Sequence, residues 1–166
     1  MNRVDSINRG MTDMKPLQSV EIPSLEGKVS EEEWAIRVDL ACAYRMVAYY
    51  GWDDLIFTHL SARIPGPDHH FLLNPYNLMF EEVTASSLVK VDVNGNPVDP
   101  TPFITNPAGF TIHSAIHMAR DDAHAVIHLH TRAGQAVSAP SEGLLPLTQT
   151  AMLIRGDVSF HEYEGV

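Results

Sequence analysis

The chain has 166 residues, 45% of them hydrophobic and 19% charged, which is ordinary globular composition and enough for one domain with its own core. A formal net charge of −10 excludes the clustered Lys and Arg footprint of a nucleic-acid binder and opposes docking on an anionic membrane surface, leaving small molecules or proteins as partners. A single cysteine, Cys42, rules out an internal disulfide framework; with no apolar run of transmembrane length and no secretory signal pattern, the expectation is a cytoplasmic protein without membrane insertion.

Residues 1–29 carry scattered charges and prolines with no sustained period and are expected to form a flexible N-terminal arm, with the folded domain over 30–166. Ser30 followed by Glu33 reads as a capping box, and Glu31, Glu32 and Glu33 suit the positive end of a helix dipole. Ile36, Leu40, Ala43, Val47 and Tyr50 then recur at steps of four and three, with Arg37, Asp39 and Arg45 off that stripe and Gly51 ending it. This predicts a core-facing helix in which Cys42 is a buried, inert thiol. Leu55 to Ile64 reads as a strand, Pro65-Gly66-Pro67-Asp68 as a turn in which His69 and His70 are solvated, and Phe71 to Leu73 as the returning strand of a hairpin. Val89 to Val93 alternates, and Asn94-Gly95 predicts a type I′ hairpin turn. Ala108 to Arg120 has a helical pattern and precedes a strand beginning at Ala125; after Ser138 a loop, a short helix and an extended piece are expected. The fold class is therefore α/β of the α+β-like kind, a central, mainly antiparallel sheet flanked by helices rather than a doubly wound parallel one.

Histidines dominate the chemistry. His128 and His130, in Ala125-Val-Ile-His-Leu-His-Thr131, stand two apart, so a strand puts both imidazoles on one face, with Ala125, Ile127 and Leu129 on an apolar opposite face. Two such rings can chelate a divalent metal, although a structural zinc site takes four ligands and a catalytic one three plus water. A solvated polar face, extended by the in-phase His124, explains the same spacing. His113 and His117 lie four apart on the predicted helix, where hydrogen-bonded packing against the sheet is the simpler reading; Ser114 occupies the place that the zinc-protease motif reserves for Glu. His59 and Ser61 repeat the same-face geometry on the earlier strand and, with Tyr76, either contact a ligand or anchor a loop. Glu142, Glu162 and Glu164 have no paired spacing and read as solvated carboxylates.

Five ordered segments, Thr58-His-Leu-Ser-Ala-Arg63, Leu73-Asn-Pro-Tyr76, Thr84 to Asp92, Asn106-Pro-Ala-Gly-Phe110 with His113, and Val126-Ile-His-Leu-His130, make the chain resemble the class II aldolase/adducin family from about Ser30 to Val166. The resemblance implies homo-oligomers, often tetramers, a small carbonyl or hydroxy compound as substrate, and a divalent metal, zinc foremost, with His128 and His130 matching the first two ligands. Metal-dependent lyase or epimerase chemistry is the implied activity. It also implies substrate-binding roles for Ser61 and His113, which His59 joins through its same-face spacing with Ser61.

The same resemblance marks departures. Aldolase and epimerase members take a third histidine from a His-Gly turn well downstream, beyond Val166, so the chain reads as truncated at its C-terminus; His161 falls in a different segment. The family's acid/base carboxylate, four residues before the histidine matching His113, is here Gly109, so no catalytic residue is assigned. Of the phosphate-binding pattern only Ser61 survives, which argues against a phosphorylated sugar and for the adducin-like branch and its bacterial relatives. A non-catalytic oligomerisation or binding module is the alternative function.

Overall fold

The structure, a computed structural model, describes residues 21–162. Most of the predicted arm therefore lies outside the described residues. Its last part is docked: Ile22 packs beside Phe71, Val89 and Phe103, and Leu25 N–H donates to Ser86 Oγ at 3.0 Å.

Helix α1 (Glu31–Tyr49) starts where the capping pattern places it, with Ser30 Oγ accepting from Glu33 N–H at 3.1 Å. The Glu33 carboxylate does not complete the box; it receives Arg37 Nε at 2.8 Å and Lys90 Nζ at 3.1 Å. That pairing rotates the buried stripe to Glu33, Arg37, Leu40, Ala41, Tyr44 and Val47, leaving Tyr50 exposed. Cys42 correspondingly lies on the exposed face, not buried as predicted.

Strands β1 (His59–Arg63), β2 (Phe71–Leu73), β3 (Val89–Val91) and β4 (Ala125–His128) form one antiparallel sheet in the order β3-β2-β1-β4. The predicted first hairpin is present, with Ser61 opposite Leu73 and Arg63 opposite Phe71. The second is not the type I′ hairpin expected, because that turn needs positive φ at both central residues and only Gly95 has it, at 84°. Asp92 Oδ1 instead gathers the N–H groups of Asn94 and Asn96, both at 2.8 Å, and the return pairing shrinks to a bridge from Val91 to Pro97, a residue with no N–H to donate.

Strand alternation gives the sheet two working faces. Leu60, Ala62 and Leu72 point to α1, where they join Leu40, Tyr44, Val47, Phe80 and Val83. Tyr44 is the pin of that layer: its ring meets Phe80 edge-on at 4.6 Å, and its hydroxyl accepts from Leu60 N–H and reaches Asn74 Oδ1. Phe71, Leu73, Val89 and Val91 point the other way, onto Phe103 and Phe110. Helix α2 (Pro107–Ala119), capped by the Asn106 side chain, covers this second face and confronts β1 with His113 and His117. Two short helices, α3 (Arg132–Ser138) and α4 (Gln149–Ile154), follow β4.

Strand β4 is an edge strand among the described residues. Its α1-side residues Ala125 and Ile127 are exposed, Ile127 at 60%, where the alternation had suggested a buried apolar face. They border a groove of about 410 Å³ shared with Ile36, Leu40 and Ala62.

Candidate functional site

The predicted residues His59, Ser61, His113, His128 and His130 come together on the α2 face of the sheet, and His117 joins them. Register does much of this, since His59 sits directly opposite His128 across the β1–β4 ladder, with ring centroids 4.5 Å apart. His130 lies just past the end of β4, yet its Nε2 stands 2.9 Å from His128 Nε2. Two supports hold it there. Asp54 Oδ2 accepts from His130 Nδ1 at 2.8 Å, and Gln135, in the first turns of α3, donates its amide to the His130 carbonyl at 2.8 Å.

Because the carboxylate takes the Nδ1 proton of His130, Nε2 of a neutral ring carries a lone pair, the form that binds a metal. Two nitrogens on one zinc, each about 2.0–2.1 Å away, stand about 3.3 Å apart at a tetrahedral angle. The observed 2.9 Å needs only a slight opening of the pair. The donors therefore fit two positions of a divalent-metal shell, with Asp54 as the group that orients the second imidazole. Among the described residues no group of three or more His, Cys, Asp or Glu is arranged so that all could hold one metal ion.

Behind this pair runs a second array. His59 Nδ1 meets His113 Nε2 at 2.8 Å, His113 Nδ1 meets Ser61 Oγ at 2.5 Å, Ser61 Oγ meets His117 Nε2 at 2.8 Å, and His117 Nδ1 meets the Ala123 carbonyl at 3.1 Å. All four side chains are at most 2% exposed. Ser61 is thus enclosed, its hydroxyl shared by two imidazoles.

Burial sets the charge state. It lowers the His59 pKa to about 4, with His128 and His130 adding to the effect, and the His113 pKa to about 3, with His59 and His117 adding. His117 is also lowered, by burial first, and the Arg63 guanidinium, bonded to the carbonyl of His117, acts in the same direction. His128 shifts the same way through burial and then His130. His59, His113, His117 and His128 are therefore neutral at neutral pH.

Gly109 has a positive reason to be glycine. An ideal Cβ there would lie 3.1 Å from His59 Cγ and 3.2 Å from Cδ2, so the imidazole rests on bare backbone. The remaining candidates stay outside: His124 is exposed, Tyr76 is tied by its N–H to the Ile104 carbonyl, and His69 lies in an exposed turn, 3.1 Å from Arg63. His161 is exposed near the end of the described residues. Sequence reasoning missed Asp54, which lies 76 residues before its partner and belongs to no motif, whereas the hydrogen-bonded packing expected of His117 is present in its bonds to Ser61 and the Ala123 carbonyl.

Residues 38–166 match the family described as Class II Aldolase and Adducin N-terminal domain. The chain belongs to that family. It is 65% identical over 143 residues to a Caulobacter vibrioides protein named "Putative aldolase class 2 protein", a match covering 86% of this chain and 56% of the relative. It is 46% identical over 136 residues to alpha-adducin of Mus musculus, covering 81% of this chain and 18% of the adducin. The crystal structure of an aldolase II superfamily protein from Pseudomonas syringae aligns with TM-score 0.81 and 55% identity over 86% of this chain and 58% of that one. L-fuculose 1-phosphate aldolase from Glaciozyma antarctica PI12 aligns with TM-score 0.69 and 34% identity, again over 86% of this chain, and 55% of that one. This class II aldolase/adducin chain thus spans about half the length of its bacterial relative, and the antiparallel sheet with flanking helices is the fold it shares with these structures.

Proposed function

We propose that this domain is a divalent-metal-dependent lyase- or epimerase-type scaffold for a small carbonyl or hydroxy compound, with zinc held by His128 and His130. The observation that carries the reading is the convergence of the two Nε2 atoms at 2.9 Å on a strand end braced by Asp54. When bound, such an ion supplies Lewis-acid polarisation of a substrate oxygen. Asp54 fixes the tautomer of His130, and His59 lies against His128 and limits how that ring can turn. With two imidazoles and no third donor among the described residues, zinc affinity should be weak and turnover impaired. Zinc titration of the purified protein by calorimetry tests the site: binding by the parent and its loss in His128→Ala and His130→Ala is the expected result, and equal uptake by all three removes it.

One observation favours a non-catalytic, adducin-like oligomerisation or binding module instead. The position from which related enzymes are expected to move protons is a buried glycine, closed over by the His59 ring. A carbon–carbon cleavage or epimerisation that stops on adding chelator decides for the enzyme; assembly that ignores chelator, without turnover, decides for the module.

A further inference from the structure

The His59–His113–Ser61–His117 array has a direction, and its anchor is a backbone carbonyl. Ala123 O can only accept, so His117 Nδ1 carries the proton and, in a neutral ring, Nε2 carries a lone pair. That lone pair, 2.8 Å from Ser61 Oγ, takes the hydroxyl proton. Having given its only hydrogen, Ser61 Oγ accepts from His113 Nδ1 at 2.5 Å. His113 Nε2 is then an acceptor and receives the Nδ1 proton of His59 at 2.8 Å. Each link fixes the next. The chain of assignments ends at His59 Nε2, a nitrogen with a lone pair and no hydrogen-bond partner among the described residues.

That nitrogen has a setting. It belongs to the ring stacked 4.5 Å from His128 and seated on Gly109. It is not one of the buried side-chain atoms that lack both solvent contact and a partner. Having no partner, it is left with only the sliver of solvent contact that a 2% exposed residue retains. A lone pair attracts an O–H donor and repels the oxyanion of a phosphate group, which has no proton to offer it.

We propose that His117, Ser61 and His113 are positioning residues that lock His59 in its Nδ1-protonated tautomer, so that His59 Nε2 accepts a hydrogen bond from a hydroxyl group of the ligand. The inference deepens the reading of the site as one for small hydroxy compounds and rests on it. It makes the contact specific: a hydroxyl hydrogen of the ligand, and not a phosphate oxyanion, meets His59 Nε2. Protonated His117 would reverse every link and put the proton of His59 on Nε2, so the two ends of the array report on each other.

Two-bond proton–nitrogen NMR of histidine side chains in the 15N-labelled, metal-free protein at pH 7.5 reads each tautomer directly, with assignment by single histidine variants. The expected result is His59 protonated at Nδ1 only, mixed tautomers in Ser61→Ala and His117→Phe, and restoration of the single tautomer in Ser61→Thr, which returns a hydroxyl. His59 protonated at Nε2 in the parent, or unchanged in Ser61→Ala, overturns the lock. Dihydroxyacetone, added with and without excess zinc, is expected to shift the His59 Nε2 resonance, and inorganic phosphate to leave it in place. No response to dihydroxyacetone, or a larger one to phosphate, overturns the assigned contact. Because the tautomers are read without metal, failure of zinc binding and failure of the lock are seen separately.

Discussion

Gly109 and His59 stand fifty residues apart in sequence and touch in the fold, and each accounts for the other's identity. Giving residue 109 a side chain would push on the face of a ring that is 2% exposed and tethered to His113. Overpacking of this kind costs about 1–3 kcal/mol. Gly109→Ala should lower the urea-denaturation midpoint accordingly, whereas an unchanged midpoint would mean that the ring moves freely. The sequence exposed the absence of a carboxylate at this position and the same-face pairs His59/Ser61 and His128/His130, since spacing within one segment is directly readable. Contacts between segments were not. Nothing in the string of residues indicates that Asp54 supports His130, or that His117 reaches from α2 to Ser61 on β1 in particular.

Helix α1 shows what patterning can and cannot supply at the next scale up. Its limits follow from Ser30 and Gly51, but its buried stripe runs through Glu33 and Arg37, which an apolar period counts as solvent-facing. These two are buried because they satisfy one another and a loop: Arg37 Nη1 donates to the carbonyls of Leu88 at 2.7 Å and Ala85 at 3.3 Å, while Glu33 also holds Lys90. Removing one partner of a buried ion pair leaves the other charge uncompensated, at a cost of about 3–5 kcal/mol. Arg37→Met is expected to destabilise the protein by that amount in chemical denaturation, and also to loosen residues 85–88, which amide exchange would register. The second hairpin teaches a similar lesson. Asn94-Gly95 was a true turn signal, but Asp92 captured the turn and Pro97 ended the ladder, so β3 pairs with β2 alone as a strand.

Across the whole molecule the legible part was the layering, a mainly antiparallel sheet with helices against it, because strand alternation and helix periodicity survive in the sequence. The illegible part was which histidines would be sealed. Their burial makes stability depend on pH. In the unfolded chain these imidazoles titrate near pH 6.5, whereas in the folded protein His59 does so at about 4 and His113 at about 3, with His117 and His128 also lowered. Between those values and about 6.5 the unfolded chain binds protons that the folded one refuses. Their contribution is therefore complete above about pH 6.5 and is lost on acidification through that window, by at most ~1.4 kcal/mol per pH unit for each group. Denaturation at pH 7.5 and pH 5.0 should show the protein clearly weaker at the lower value; equal stability would place protonated or solvated rings in the cluster.

The position of β4 bears on all of this. Among the described residues this strand is fastened along one flank only, to β1, and its other flank offers unclaimed amides and carbonyls beside the exposed Ile127. His128 consequently sits on a strand held by ladder hydrogen bonds from one side only. A polypeptide laid along that free flank would stiffen the strand that carries His128, and the metal site proposed for His128 and His130 would then tighten as the sheet margin fills.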